Sequence, residues 1–268
     1  MNVETKQKII EPFLNSFETD EMRFYCKDMI EQIPDYIFEM PSSTTGKWHN
    51  KTQCLPHGQI YHIVMFASIA NYRLNLKYNK EKKFPDPKIR DAIRCTPWFH
   101  DALKCGDGST TFTVHEHPLL AAEWVRTAKV EHDIDSETKE LIARLCAAHS
   151  GEWTTAKRGS KTILPEPQTE EEIFVHECDY LASRNDIDMS IPEYLSAIFA
   201  GSDEEKINTI NPDEYTLTFG KHSGQKLIDV YRKHPDYVQW MEENIHRTEV
   251  LDAIKSVKKK ISEEDDEL

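Results

Sequence analysis

His100 and Asp101 are neighbours in the run Thr96-Pro-Trp-Phe-His-Asp-Ala-Leu-Lys104. Imidazole nitrogen and carboxylate oxygen together suit borderline and hard divalent cations such as Mn, Fe, Co, Zn or Mg. Adjacent side chains cannot enclose a cation alone, so other elements must supply the remaining ligands. His62 lies upstream, and His117, His149 and Asp179 lie downstream. His62, His100, Asp101 and Asp179 could hold one ion, while Asp101 bridges to a second held by His117 and His149. Two such ions can clamp a phosphate ester for in-line displacement. Taken singly, each His reads as readily as a satisfied core residue; the joint pattern carries the expectation.

The elements that must position these residues are mostly helical by periodicity. Apolar positions between Lys6 and Ile33 predict one or two amphipathic helices broken near Thr19-Asp20. Gln59 to Leu76 predicts a buried helix carrying His62. Pro87 suits a helix start, and the helix from Lys88 delivers His100-Asp101. His117-Pro118 opens the next helix, and Ser136, with the look of a cap, begins one that ends at His149. Gly151 to Gln168 is polar and reads as a long surface loop. Thr169-Glu-Glu-Glu starts a helix whose inner face includes Cys178, with Asp179 alongside.

Several other imidazoles compete for roles. His57 follows a Pro at the mouth of the apolar helix, whereas His62 sits inside it. Of His115 and His117, His117 is favoured by its Pro-Leu-Leu-Ala-Ala context. His176 is expected in a surface or core role, and His132-Asp133, in a polar linker, at the surface.

The chain has 268 residues and a formal net charge of -14. That balance argues against a protein that coats nucleic acid through a broad basic face, since such binding needs many phosphate contacts. No apolar run approaches the roughly 20 residues of a membrane helix, and the N-terminus lacks a signal-peptide core. The six scattered cysteines form no Cys-x-x-Cys pair and read as reduced structural thiols. The expected location is cytoplasmic, the host cytoplasm if the gene belongs to a phage.

The ordering His, His-Asp, His, His, Asp resembles the HD superfamily of metal-dependent phosphohydrolases in its two-metal form. His100-Asp-Ala-Leu-Lys104 is similar to the family's His-Asp-x-x-Lys, and His117-Pro-Leu-Leu-Ala-Ala to its His-Pro-x-x-Gly-Ala, with Ala121 where Gly is common. His176-Glu-Cys-Asp179-Tyr-Leu-Ala-Ser-Arg184 resembles the end of the phosphodiesterase branch. The likeness spans about Gly58 to Asp186. A single His149-Ser, with no Gly-Tyr-Pro signature after it, demotes cyclic-dinucleotide hydrolysis and resembles a subgroup common in phages and Gram-positive bacteria. The resemblance implies a mainly α fold, an HD helical bundle over residues 1–205, and two divalent metal ions that activate a water. Asp101 would bridge and orient, Lys104 would steady a phosphate oxygen or Asp101, and Arg184 would serve the leaving side. Lys157, Arg158 and Lys161 could form a lid.

After 205 the composition changes. Leu217-Thr-Phe-Gly-Lys221-His-Ser-Gly224-Gln-Lys226-Leu and Pro235-Asp-Tyr-Val-Gln-Trp240 resemble the C-terminal module of exodeoxyribonuclease X-like proteins. A small α+β module is expected over 212–260, followed by an acidic tail over 261–268. Lys221, His222 and Lys226 beside aromatic residues could contact a phosphate backbone and bases. A core role is expected for at least two of Phe219, Tyr237 and Trp240. The leading expectation is hydrolysis of a nucleotide or single-stranded nucleic-acid phosphate ester, with the module binding nucleic acid or a partner. A nucleotidase or triphosphohydrolase on free nucleotides is the first alternative, and a catalytically inactive HD-fold binding protein the second.

Overall fold

A computed structural model describes residues 1–43, 49–108, 110, 112–156, 160–187, 192–200, 210–245 and 248–266. The chain divides into two compact units, Met1–Ser190 and Ile191–Leu268. The boundary falls ahead of the expected 205, because a short helix over 193–200 belongs with the second unit. No helix among the described residues is long and apolar enough to cross a membrane.

The first unit is built on α1 (Val3–Leu14), α2 (Asp20–Glu31), α3 (Gly58–Leu74), α4 (Pro87–Phe99), α5 (His117–Thr127), α6 (Ser136–Ala148) and α7 (Glu170–Ser183). Helix α4 is central, packing against α2, α3, α6 and α7, while α3 also lies on α7 and α5 on α6. Phe66 and Leu74 of α3, Ile93 of α4, Leu145 of α6 and Phe174 and Cys178 of α7 meet in one buried cluster. Polar residues set the helix starts. Asp86 caps α4 by accepting from Lys88 N, with Pro87 in the first turn. Thr169 and Glu172 form a reciprocal capping box on α7. The cap of α6 is Asp135, which accepts from Thr138 N, rather than the expected Ser136. A Ser one residue later is already helical, and the longer Asp side chain reaches the same donor.

The start of α2 is capped from a distance. Thr19 makes no side-chain cap bond of its own. Instead the fully buried Asp91 of α4 accepts from Glu18 N, Thr19 N and Thr19 Oγ1. Arg94 bonds Asp91 at 2.8 Å, and both Arg90 and Arg94 bind Glu18. This network fixes the α1–α2 link to the helix that presents the His-Asp pair.

The polar stretch after Gly151 folds on itself through an isolated Thr155–Ile163 bridge, bonds Glu116 through the Ser160 and Thr162 hydroxyls, and buries Leu164. Lys157 and Arg158 of the expected lid lie outside the described residues. Lys161 is described, and is exposed. All six cysteines are free, and five are buried.

The second unit packs α8 (Leu227–Lys233), α9 (Pro235–Asn244) and α10 (Thr248–Asp266) around Leu217, Leu227, Val230, Val238, Met241, Ala253, Ile254 and Val257. The β part of the module expected over 212–260 comes down to one Thr216–Lys226 bridge, flanked by bonds Leu217 N to Gln225 O and Leu227 N to Tyr215 O. The chain reverses at once and Leu227 begins a helix, so the β half of the expected module is a single pairing. Phe219 and Tyr237 pack against the core, whereas Trp240 is 48% exposed. The segment from Glu249 is an amphipathic helix that buries Val250, Ala253, Ile254 and Val257 at a 3–4 apolar spacing.

Candidate metal centre

Three helix ends aim imidazoles at one point by the same local device. Pro97 interrupts the last turn of α4, and His100 stands at the C-cap with Nδ1 2.9 Å from the Pro97 carbonyl. His149, the C-cap of α6, places Nδ1 2.7 Å from the Cys146 carbonyl. His117, at the start of α5, places Nδ1 2.7 Å from the Val114 carbonyl. A carbonyl only accepts, so each Nδ1 carries the proton and each Nε2 presents a lone pair. At the ends of α4 and α6 these bonds also satisfy carbonyls that the helix leaves without partners.

The fourth imidazole comes from inside α3. A Cβ at Gly58 would lie 2.1 Å from the Gln53 carbonyl oxygen, so only Gly lets the Thr52–Cys54 turn press on the start of this helix. His57, with φ of 62°, begins the helix and bonds the Phe38 carbonyl, away from the centre. One turn on, His62 Nε2 lies 2.9 Å from Asp179 Oδ1 of α7 and 3.4 Å from His100 Nε2.

The carboxylates stand between these nitrogens. His117 Nε2 is 2.9 Å and His149 Nε2 3.8 Å from Asp101 Oδ1, while His100 Nε2 is 3.3 Å from Asp101 Oδ2 and 3.8 Å from Asp179 Oδ1. Two groups result in which donor atoms could share a cation, His62 with His100 and Asp179, and His100 with Asp101 and His149. His100 stands in both, so the division of ligands between two ions drawn from sequence order is not a spatial separation. His117 reaches the centre through Asp101 Oδ1.

A cation fits this arrangement on its donor chemistry. Asp101 Oδ1 and Asp179 Oδ1 are buried and accept no hydrogen bond, although imidazole nitrogens lie 2.9 Å away. At Asp101 Oδ1 the Nε2 lone pairs of His117 and His149 face carboxylate lone pairs, which in a dry site is costly unless a positive charge lies between them. Donor atoms held about 2.1 Å from one ion stand roughly 3 to 3.4 Å apart, close to the separations here.

Electrostatics agree. Burial would raise the Asp101 carboxyl, but Lys104 and His100 overcome it and hold it well below the usual carboxylate range. Burial likewise opposes ionisation of Asp179, and His62 and His100 override it downward. Desolvation, with the neighbouring His100 adding to it, pushes His149 down to about 3. Burial would lower His100 too, yet Asp101 and Asp179 raise it.

Lys104 is buried, with Nζ 2.7 Å from Asp101 Oδ2 and 2.9 Å from Gln59 Oε1. Gln59 Nε2 donates to the same carboxylate oxygen at 2.9 Å. Asp101 therefore has one anchored oxygen and one turned to the imidazoles. Gln59 was not anticipated; its signal was an amide inside an apolar run, one turn before His62. His49 was also missed. It is half-buried, its ring centre 5.3 Å from that of His62, and desolvation pushes it down to about 4.

The remaining candidates lie around this centre or apart from it. His176 Nδ1 is 2.9 Å from the His149 carbonyl, and the ring rests directly on Gly151, whose φ is 62°. His115 bonds the Thr162 carbonyl, and His132 pairs with Asp28 at the surface, as expected. Arg184 caps α7, its guanidinium over the Tyr180 ring and bonded to Tyr180 Oη and Asp186. In the second unit Lys221 lies over Tyr237, itself stacked on Trp240, and the exposed Lys226 precedes α8.

Comparison with known proteins agrees with this geometry. Residues 60–184 match the family model of the HD domain, and residues 217–246 match that of the exodeoxyribonuclease X-like C-terminal module. Neither the curated proteins nor the solved structures contain a match. The HD match covers four imidazoles and two carboxylates brought together at the ends and inner faces of α3 to α7, and the matches jointly support an HD-superfamily phosphohydrolase.

Proposed function

We propose that the protein hydrolyses a phosphate ester of a nucleotide or a single-stranded nucleic acid at a two-ion centre. His62, His100, Asp101 and Asp179 hold one ion, and Asp101, His117 and His149 the other. The observation that carries this reading is the pair of buried carboxylate oxygens without hydrogen bonds, set among His62, His100, His117 and His149, of which the last three have their Nδ1 protons spent on backbone carbonyls. Divalent ions there would neutralise phosphate charge and bring the pKa of water toward neutrality.

The chain's own residues do the rest. Asp101, held at Oδ2 by Lys104 and Gln59, keeps Oδ1 in place, where it would contact the ions and accept a hydrogen bond from the attacking water. Lys104 acts through Asp101 rather than on phosphate, since its ammonium is buried and occupied. Arg184, five residues beyond Asp179 at the C-cap of α7, suits the leaving side. Lys221 and Lys226, with Trp240 and Tyr237, favour contact between the C-terminal module and a nucleic-acid backbone and bases. The free thiols support a reducing cytoplasmic setting, and the His149-Ser-Gly-Glu-Trp context supports the phage and Gram-positive subgroup.

The test is a hydrolysis screen with Mn, Co or Mg over nucleoside mono-, di- and triphosphates, cyclic nucleotides and short single-stranded DNA and RNA. Turnover that disappears in His100→Ala with Asp101→Ala is the expected result. Activity confined to mononucleotides and unchanged in Lys221→Ala with Trp240→Ala would replace the nucleic-acid version with a nucleotidase. A folded wild type inert toward every phosphate ester would leave a binding protein.

A further inference from the structure

Beside the metal centre lies an aromatic group that the proposed chemistry does not use. Trp153, four residues beyond His149, is 54% exposed, and Tyr180, next to Asp179, is 39% exposed. Their rings are nearly parallel, with centres 5.7 Å apart and planes 21° apart. Exposed aromatic side chains ordinarily sample several rotamers, but these are held. Arg184 donates to Tyr180 Oη at 3.1 Å and lies 5.1 Å from its ring centre. Trp153 also packs edge-on against His176, 5.9 Å away, whose Nδ1 is fixed to the His149 carbonyl. His176 and Tyr180 are one helical turn apart on α7, and His176 joins the ledge to the centre through its bond to the His149 carbonyl.

We propose that Trp153 and Tyr180, with Arg184, form a stacking ledge for the nucleobase of the substrate, placed so that the attached phosphate meets the His/Asp centre. The inference rests on the hydrolase reading and names the feature by which that site selects nucleotides. Two parallel, offset rings leave a flat π surface open to solvent, and any base can extend such a stack whatever its hydrogen-bonding edge. Arg184 adds positive charge beside it on a chain of net charge -14, where an anionic ligand otherwise meets repulsion. The ledge therefore favours nucleotides over base-free phosphates and discriminates weakly among bases.

The test is calorimetric binding to the full chain in Mn, using the slowly hydrolysed adenosine 5′-phosphorothioate and, as the base-free probe, inorganic thiophosphate. The wild type is expected to prefer the nucleotide by about tenfold or more, as base stacking on an aromatic ring normally gives. That preference collapses toward one in Trp153→Ala and in Tyr180→Ala, and largely survives in Trp153→Phe, which keeps a flat ring. Both side chains are exposed, so circular dichroism should report an intact fold in either variant. An undiminished preference in Trp153→Ala and Tyr180→Ala, or no preference in the wild type, overturns the proposal. A preference that depends on the ledge in a protein that hydrolyses no phosphate ester would overturn the hydrolase reading and leave the ledge standing.

Discussion

Replacing Gly151 by Ala should damage the metal centre without touching a ligand, and the size of the damage can be worked out. Gly151 has φ of 62°, and a Cβ there would lie 2.1, 2.3 and 2.5 Å from three atoms of the His176 ring. The left-handed conformation costs an Ala about 1 to 2 kcal/mol. The contacts are far inside the van der Waals separation of about 3.5 Å, so the ring must leave, giving up its bond to the His149 carbonyl at about 1 kcal/mol. The substitution should therefore cost about 2 to 3 kcal/mol in all. In a His176→Ala background the clash is gone and only the backbone cost of about 1 to 2 kcal/mol remains. The double-mutant cycle should thus show a coupling of about 1 kcal/mol in favour of the double variant. Because the chain holds two units, the reporter must be local, and hydrogen exchange of the α6 and α7 amides supplies a free energy for this region alone. Strict additivity of the two substitutions, or a Gly151→Ala protein with wild-type protection in α6 and α7, would refute the reasoning.

Other substitutions test other links. Glu18 is held down to about 2, first by its hydrogen bonds with Arg90 and then by Arg94. A carboxylate with a depressed folded pKa stabilises above its unfolded value and loses that contribution as pH falls. Between pH 4.5 and about 2 the wild type should therefore forfeit its advantage over Glu18→Gln, an advantage discounted for solvent screening to about 1 to 2 kcal/mol. A gap in urea midpoint that stays constant from pH 6 to pH 3 would contradict this. Lys104→Met should lower kcat/KM by roughly 10- to 100-fold with little change in fold, since it frees the anchored oxygen of Asp101. Wild-type kinetics in that variant would remove Lys104 from the account. Thr169→Ala should cost about 1 kcal/mol by opening the capping box, visible as faster exchange in the first turn of α7 only.

The residue types and spacing made the centre legible because metal chemistry restricts both. His62, His100, Asp101, His117, His149 and Asp179 converge as their order implied, and the helices that carry them follow from apolar periodicity. What stayed hidden depends on distance through space. Asp91 caps a helix more than seventy residues away, through bonds that no local motif announces. Gln59 and His49 come from segments whose only signal was a polar residue in an apolar or irregular setting. His100 serves both ligand groups because Pro97 ends α4 where it does, and sequence order could not give that angle.

The claim on which the account depends is that the His/Asp cluster is a metal centre, and Mn titration of the folded, metal-stripped chain by calorimetry tests it most directly. The prediction is two equivalents bound by the wild type, and both lost or severely weakened in His100→Ala, because that imidazole belongs to both ligand groups. A folded wild type that takes up no divalent ion, or a His100→Ala with Asp101→Ala chain that still binds two with unchanged affinity, would contradict it.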